Sequence, residues 1–376
     1  MRILVDVRHL KSNEITGVGH YTIELLRTLF RVAPEHTYVL LTSCAGEAPK
    51  RVISLAKEAK YAEHVHLPIP NKRLNLELFF GIGKTLDERA GGEFDLVFLP
   101  NLNIIRLSQT LPYVLTAHDA SWKLFPEFFS RRMRLWHAAC RPQKLMQEAT
   151  AIITPSESTK EDVVRLFHVP TDKIYAIPHG ISKKSSDPHP QQPIPNPYVL
   201  FVGTREPRKN LPGIVEAVRR YREDTHSDIR LVVAGGQGWW DRQPIEQLLA
   251  THKEWIDVRG YVSDEEREAL YHHARVLLWP SIYEGFGLPV LEAMQSGCPV
   301  ITSTSSSLPE LTGNAALLVN PFDAGEMIEA LRAALDNHTL RTRLIQAGKT
   351  RAELFSWEET ARKTSHVFNE SISSLK

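Results

Sequence analysis

Short apolar runs rich in β-branched residues recur along the chain, many followed by a stretch with helical spacing. RILVDV, TYVLLT, FDLVFLP, PYVLTAHD, AIITPS and IYAIPHG occupy the first half. YVLFVGT, IRLVVAGG, VRGYV, ARVLLWPS, PVITST and AALLVNP occupy the second. Continuous runs, as opposed to strict alternation, predict strands buried on both faces, the condition of a parallel sheet covered by helices. Segments such as GHYTIELLRTLFRV and NLPGIVEAVRRYRE supply the crossover helices of βαβ units. The expected fold is therefore α/β, with Rossmann-like, doubly wound parallel sheets.

A chain of 376 residues exceeds one compact core and suits two domains. The stretch SKKSSDPHPQQPIPNP, 182–197, holds five prolines and no apolar period, which marks a linker. We place a first domain at 1–181, a hinge at 182–197 and a second domain at 198–355. Residues 356–376 open on a candidate N-cap, Ser356, with acids close behind. They are expected to form a helix returning toward the first domain. Two such sheets present the carboxyl ends of their strands to a cleft, where ligands of open α/β sheets bind.

Composition narrows the function. A formal net charge of +1 gives no bulk attraction to nucleic acid, which is not an expected partner. Cys44, Cys140 and Cys298 lie far apart with no Cys-x-x-Cys spacing, so neither a zinc site nor a disulfide framework is expected. MRILVDVRHL enters a strand directly and lacks the apolar core of a signal peptide. No apolar run reaches the ~20 residues of a membrane span. The expected location is the cytoplasm.

The segment SIYEGFGLPVLEAM, 281–294, joins a strand to a helix and sets Glu284 and Glu292 on either side of a Gly-Phe-Gly bend. Backbone N–H groups at the start of such a helix, with its dipole behind them, suit a phosphate. Glycines at 285 and 287 allow close approach of a ligand to the main chain. Carboxylates accept hydrogen bonds from vicinal diols, so acids flanking an anion site suit a sugar at one end and a ribose at the other. A capped helix with surface acids is the plain alternative. Glu-Gly-Phe-Gly-Leu-Pro-x-x-Glu-Ala-Met resembles the donor-site signature of glycosyltransferase family four, retaining enzymes of the two-domain GT-B fold. The resemblance covers nearly the whole chain. It implies that Glu284 contacts the transferred sugar and Glu292 the ribose, while main-chain groups of Gly285, Phe286, Gly287 and Leu288 meet the sugar and diphosphate.

VLFVGTREPRKNLPGIVEAV reads as strand, basic turn and helix. Cations fixed where a diphosphate departs stabilise the developing charge, although a solvated charge run has the same composition. Lys209 matches the family's lysine. Thr204 stands where the family places an arginine, so Arg208 or Arg205 must substitute, with Arg208 preferred. Gly17 and Gly19, ahead of a predicted helix, could offer amides to a phosphate. The loop is no dinucleotide fingerprint: the third glycine is missing, and it begins some ten residues past the strand. The family uses this loop over the donor diphosphate.

PYVLTAHDAS ends a strand on His118, which resembles the family's histidine at the sugar subsite; a buried structural imidazole is the alternative. His179, in IPHGI, resembles the entry to the hinge. The resemblance also directs the region of Tyr261 and Val262 to the nucleobase. The chain contains no Asp-x-Asp, and no metal and no cofactor are expected, the cations and helix dipole serving in their place. PEFFSRRMRLWHAACRPQKLM carries arginines among aromatics. A basic amphipathic helix can lie on an anionic membrane surface, so peripheral contact through 128–146, at the inner membrane face, is one expectation. A helix packing its aromatics inward is the other.

The resemblance thus implies a retaining, metal-independent hexosyltransferase. Glu-Pro-Arg-Lys-Asn, 206–210, resembles the form in a subgroup that builds cell-surface polysaccharides, which implies a nucleoside diphosphate sugar donor, GDP-mannose ahead of UDP-glucose, and a glycan or lipid-linked glycan acceptor. A nucleotide-sugar epimerase on the same fold and a non-catalytic sugar-nucleotide binding protein are the rival readings.

Overall fold

The computed structural model describes residues 1–11, 16–182, 194, 197–238 and 242–373. Most of the 182–197 linker, and Asn13 to Ile15 ahead of the glycine loop, lie outside the described residues. The chain divides into two compact units. One comprises Met1–Ala120, Arg132–Ser182 and Ser356–Lys376; the other comprises Ser121–Arg131 and Lys183–Phe355. The short stretch after His118 thus packs with the second unit, where the Phe125 ring lies 5.8 Å from that of Tyr283.

The first unit holds a seven-stranded sheet made of β1 (Arg2–Asp6), β2 (Thr37–Ser43), β3 (Ala62–Leu67), β4 (Leu96–Leu99), β5 (Tyr113–Thr116), β6 (Ala151–Thr154) and β7 (Ile174–Ala176). The order is β3-β2-β1-β4-β5-β6-β7, and every pairing is parallel. The second sheet holds β8 (Tyr198–Val202), β9 (Arg230–Ala234), β10 (Ile256–Gly260), β11 (Val276–Trp279), β12 (Val300–Ser303) and β13 (Leu317–Val319). Its order is β10-β9-β8-β11-β12-β13, again all parallel. Each sheet winds outward from its first strand in one direction, then restarts beside it in the other.

Each of the twelve apolar runs overlaps a strand. The additional one, β3, reads AEHVHL and is only partly buried. It lies at an edge of its sheet, so the apolar run that marks a strand buried on both faces is absent from its sequence. The C-terminal helix, Trp357–Ser373, belongs to the first unit: Trp357, Ala361, Val367 and Phe368 join the core built on Ile3, Val5 and Phe98. Ser356 Oγ accepts from Glu359 N at 3.1 Å, the N-cap its sequence predicts.

Candidate functional site

In the second sheet β8 pairs with both β9 and β11, so the strand order reverses between β8 and β11. Loops leaving the carboxyl ends of two such strands diverge to opposite faces and open a crevice. Here they carry the basic turn and the Gly-Phe-Gly bend. They are tied directly, Ile282 N donating to Arg208 O at 2.7 Å.

After β8 comes Gly203, at φ +137°, where a Cβ would stand 2.8 Å from Lys209 Nζ and 2.9 Å from Trp279 Cη2. Glycine is what lets the lysine fold back over the strand end. Its Nζ lies 5.1 Å from the centre of the Trp279 ring, a cation–π arrangement. Pro207–Lys209 forms a single 3₁₀ turn. Burial pushes the Lys209 ammonium below its usual range, and the charge of Glu206 is the largest influence holding it up. Arg208 donates from Nε to Glu206 at 2.7 Å and from NH1 to Tyr283 O at 3.0 Å, and its guanidinium pairs with Glu284. Arg205 pairs instead with Glu246, at 3.2 Å. Of the two candidate arginines, Arg208 is the one bonded to the acid.

After β11, Glu284 is buried and also accepts from Ser281 Oγ at 2.9 Å. Ser306 Oγ accepts from its N–H, and Ser307 Oγ donates to its carbonyl and to that of Phe286. The bend therefore rests on the loop after β12. Gly287, at φ +114°, precedes the helix Leu288–Gln295, and no side chain caps that helix. A Cβ on Gly287 would come within 2.9 Å of Leu308, so close packing as well as φ requires glycine. Leu288 begins the helix and Pro289 follows; Val290, Leu291 and Met294 are buried beneath it. Glu292 looks the other way. Its Oε2 accepts from Tyr271 OH at 2.9 Å and lies 3.6 Å from Arg267 Nε, both on the helix Asp264–His273.

Tyr271, Arg267, Ser281, Ser306 and Glu206 were not singled out from the sequence. Glu206 and Ser281 lie inside the motif segments quoted above and the others outside them, and each becomes notable only through what it touches. Tyr261 and Val262 follow β10, which stops at Gly260 instead of running to Val262. Tyr261 is 61% exposed, whereas Val262 is buried. Gly17 and Gly19 are not ahead of a helix but inside its first turn, since Gly17–Val32 is helical with Thr16 as N-cap. Gly19 N–H donates to Thr16 Oγ1 at 3.3 Å, so that amide is engaged in capping.

On the first unit, His118 Nε2 lies 2.8 Å from Pro100 O. A carbonyl only accepts, so Nε2 carries the proton, and burial keeps the ring neutral by lowering its pKa. Nδ1 then bears a lone pair suited to receive a hydroxyl proton. Tyr21 meets the ring edge-on at 4.8 Å, and its hydroxyl pairs with Thr116 at 3.1 Å. His179 lies 4.5 Å from Tyr21 and is stacked with Trp357 at 6.2 Å; it is part of an aromatic core. The helix Arg131–Ala139 buries no residue, and Leu135 and Trp136 are 72% and 38% exposed. The expectation that its aromatics pack inward fails at Trp136. The hydrophobic faces of this region are used elsewhere, by Phe129 and by Leu145 and Met146 of the following helix.

Residues 15–184 match the family model described as Glycosyltransferase Family 4, and residues 183–351 the model described as Glycosyl transferases group 1. The O-antigen chain mannosyltransferase B of Escherichia coli is 33% identical across 98% of this chain and 99% of its own length. The chain belongs to glycosyltransferase family 4. Among solved structures, sucrose-phosphate synthase from Thermosynechococcus elongatus superposes with a TM-score of 0.76 at 20% identity, covering 99% of both chains. Anabaena HepE, solved with UDP and glucose, gives 0.70 at 16% identity, covering 98% of this chain and all of that one. The two parallel-sheet units of this glycosyltransferase are thus those of the GT-B fold. Neither the epimerase nor the non-catalytic reading is favoured by these relatives.

Proposed function

We propose that this glycosyltransferase moves a hexose from a nucleoside diphosphate sugar to an acceptor hydroxyl with retention of configuration, in cell-surface polysaccharide or lipid-linked glycan synthesis. The observation that carries the reading is the meeting of Glu284 with Arg208, beside Lys209, at the strand-order reversal of the second sheet. In this reading Arg208 and Lys209 receive the charge that builds on the departing β-phosphate. The uncapped start of Leu288–Gln295 faces the diphosphate, Glu284 holds sugar hydroxyls, and Glu292 holds the ribose. The acceptor oxygen attacks the face the phosphate leaves. Attack on that face gives retention without an enzymic nucleophile, and the proton passes to the departing phosphate, so no enzymic base is required. GDP-mannose is placed ahead of UDP-glucose as donor, supported by the name of the Escherichia coli relative.

Thermal shifts with GDP, UDP and ADP test the donor. A nucleotide at a hundred times its dissociation constant adds roughly 2.7 kcal/mol of stability, and GDP is expected to give the largest shift. Turnover of GDP-mannose should then release GDP and yield an α-linked mannoside by proton NMR. No shift with any nucleotide, or a β-linked product, overturns the reading. The exposed Leu135 and Trp136 beside Arg131, Arg132 and Arg134 support a further part of the proposal: this helix touches an anionic membrane surface, with vesicle flotation as its test.

A further inference from the structure

We propose that Glu206 is a positioning residue of the transfer reaction, fixing the Arg208 guanidinium between two loops and supplying negative charge beside the Lys209 ammonium. The inference rests on the proposed roles of Arg208 and Lys209 at the leaving diphosphate. Glu206 is buried in the turn after β8. Its carboxylate accepts from Nε of Arg208 at 2.7 Å, while NH1 of the same guanidinium reaches Tyr283 O and Glu284. One edge of the planar fork is thus held by Glu206 and the other by the Gly-Phe-Gly loop. An arginine clamped at both edges is already oriented when the diphosphate arrives.

Charge also links Glu206 to Lys209. Lys209 and Arg208 are adjacent cations in a buried turn, and like charges at close range in a poorly solvated place drive a lysine toward its neutral form. The charged groups that act on Lys209 are Glu206, Arg208 and Glu284, with Glu206 the strongest of those favouring the ammonium; the Lys209 Nζ also lies 5.1 Å from the Trp279 ring centre. An ammonium meets a departing phosphate better than a neutral amine does, and the Glu206 carboxylate favours the ammonium. The shape of the turn does not depend on that carboxylate: Glu206 N donates to Thr204 O and Lys209 N to Glu206 O, at 2.9 and 3.0 Å. Glu206→Gln should therefore fold.

The test compares the full chain with Glu206→Gln and Glu206→Asp. Glu206→Gln is expected to lower kcat on the order of tenfold. It should also move the alkaline limb of the kcat/KM profile down by about one pH unit, a Coulombic displacement. Glu206→Asp should return part of both. Equal loss at every pH with the limb unmoved would make Glu206 merely structural and overturn the proposal, as would a parental rate. A second readout is independent of turnover: ¹³Cε-lysine NMR titration, with the Lys209 signal assigned by Lys209→Arg. A lower midpoint in Glu206→Gln supports the inference, and an unchanged midpoint overturns it even if the assumed donor proves wrong.

Discussion

Glu284 and Glu292 are eight positions apart in sequence, yet their surroundings differ in kind. Glu284 is buried and bonded to Arg208 and Ser281; Glu292 is part-exposed and bonded to Tyr271 beside Arg267. Different roles should follow. Glu284→Ala leaves Arg208 its bond to Glu206, so nucleotide affinity should survive, while turnover falls by roughly a hundredfold or more through lost transition-state contacts. Glu292→Ala removes a hydrogen-bonding carboxylate from the proposed ribose site and should weaken nucleotide binding about tenfold, or ~1.4 kcal/mol. It also strips the buried Tyr271 hydroxyl of an acceptor, so a stability loss of about 1–3 kcal/mol is expected alongside. Calorimetric binding and steady-state kinetics separate the two. Parental kinetics in both variants would refute the assignment.

Among elements, the unit that matters is strand, loop and helix, used twice side by side. β8 delivers the cations and β11 the acid, and the helix after each loop packs back on the sheet. Val290, Leu291 and Met294 anchor the second of these helices, each burial contributing roughly 1.5–3 kcal/mol. Such anchoring leaves the loop little freedom, as the proposed diphosphate site requires. Arg131–Ala139 is the opposite case, a helix with no buried residue. If it serves a lipid surface, the chain should float with vesicles containing anionic phospholipid and not with neutral ones. Replacing Arg131, Arg132 and Arg134 with alanine should abolish flotation without lowering nucleotide affinity. A parent chain that sediments free of anionic vesicles would end that proposal. Among the described residues no helix is long and apolar enough to cross a membrane.

Three buried histidines of the first unit, His9, His118 and His179, each follow the carboxyl end of a strand, β1, β5 and β7. Burial pushes His9 down to about 4 and also lowers His118 and His179. In the unfolded chain each returns to about 6.5. Between those values the unfolded chain binds more protons than the folded one. The stability these neutral rings contribute is therefore complete above pH ~6.5 and is lost as pH falls toward 4. Melting of the first unit should drop between pH 7 and 5, before most carboxylates titrate. His9→Gln, which can keep the bond to Thr22, should shrink that drop. A melting temperature constant over the interval would contradict the prediction.

Local sequence determined a good deal of this protein. Alternation of apolar runs with helical spacing specified two parallel-sheet halves, because burial on both faces of a strand is written in its own residues. The glycine-bracketed bend was legible too: positive φ at Gly287 and the crowding by Leu308 leave few residues that could stand there. Strand order was not legible, because parallel strands pair across long crossovers. That order alone brings Arg208 to Glu284, 76 positions away, and sends Arg205 to Glu246. The edge strand β3, the exposure of Tyr261 and the hold of Tyr271 on Glu292 were likewise decided in the tertiary structure. Each depends on a neighbour distant in the chain, and no local pattern encodes which neighbour that will be.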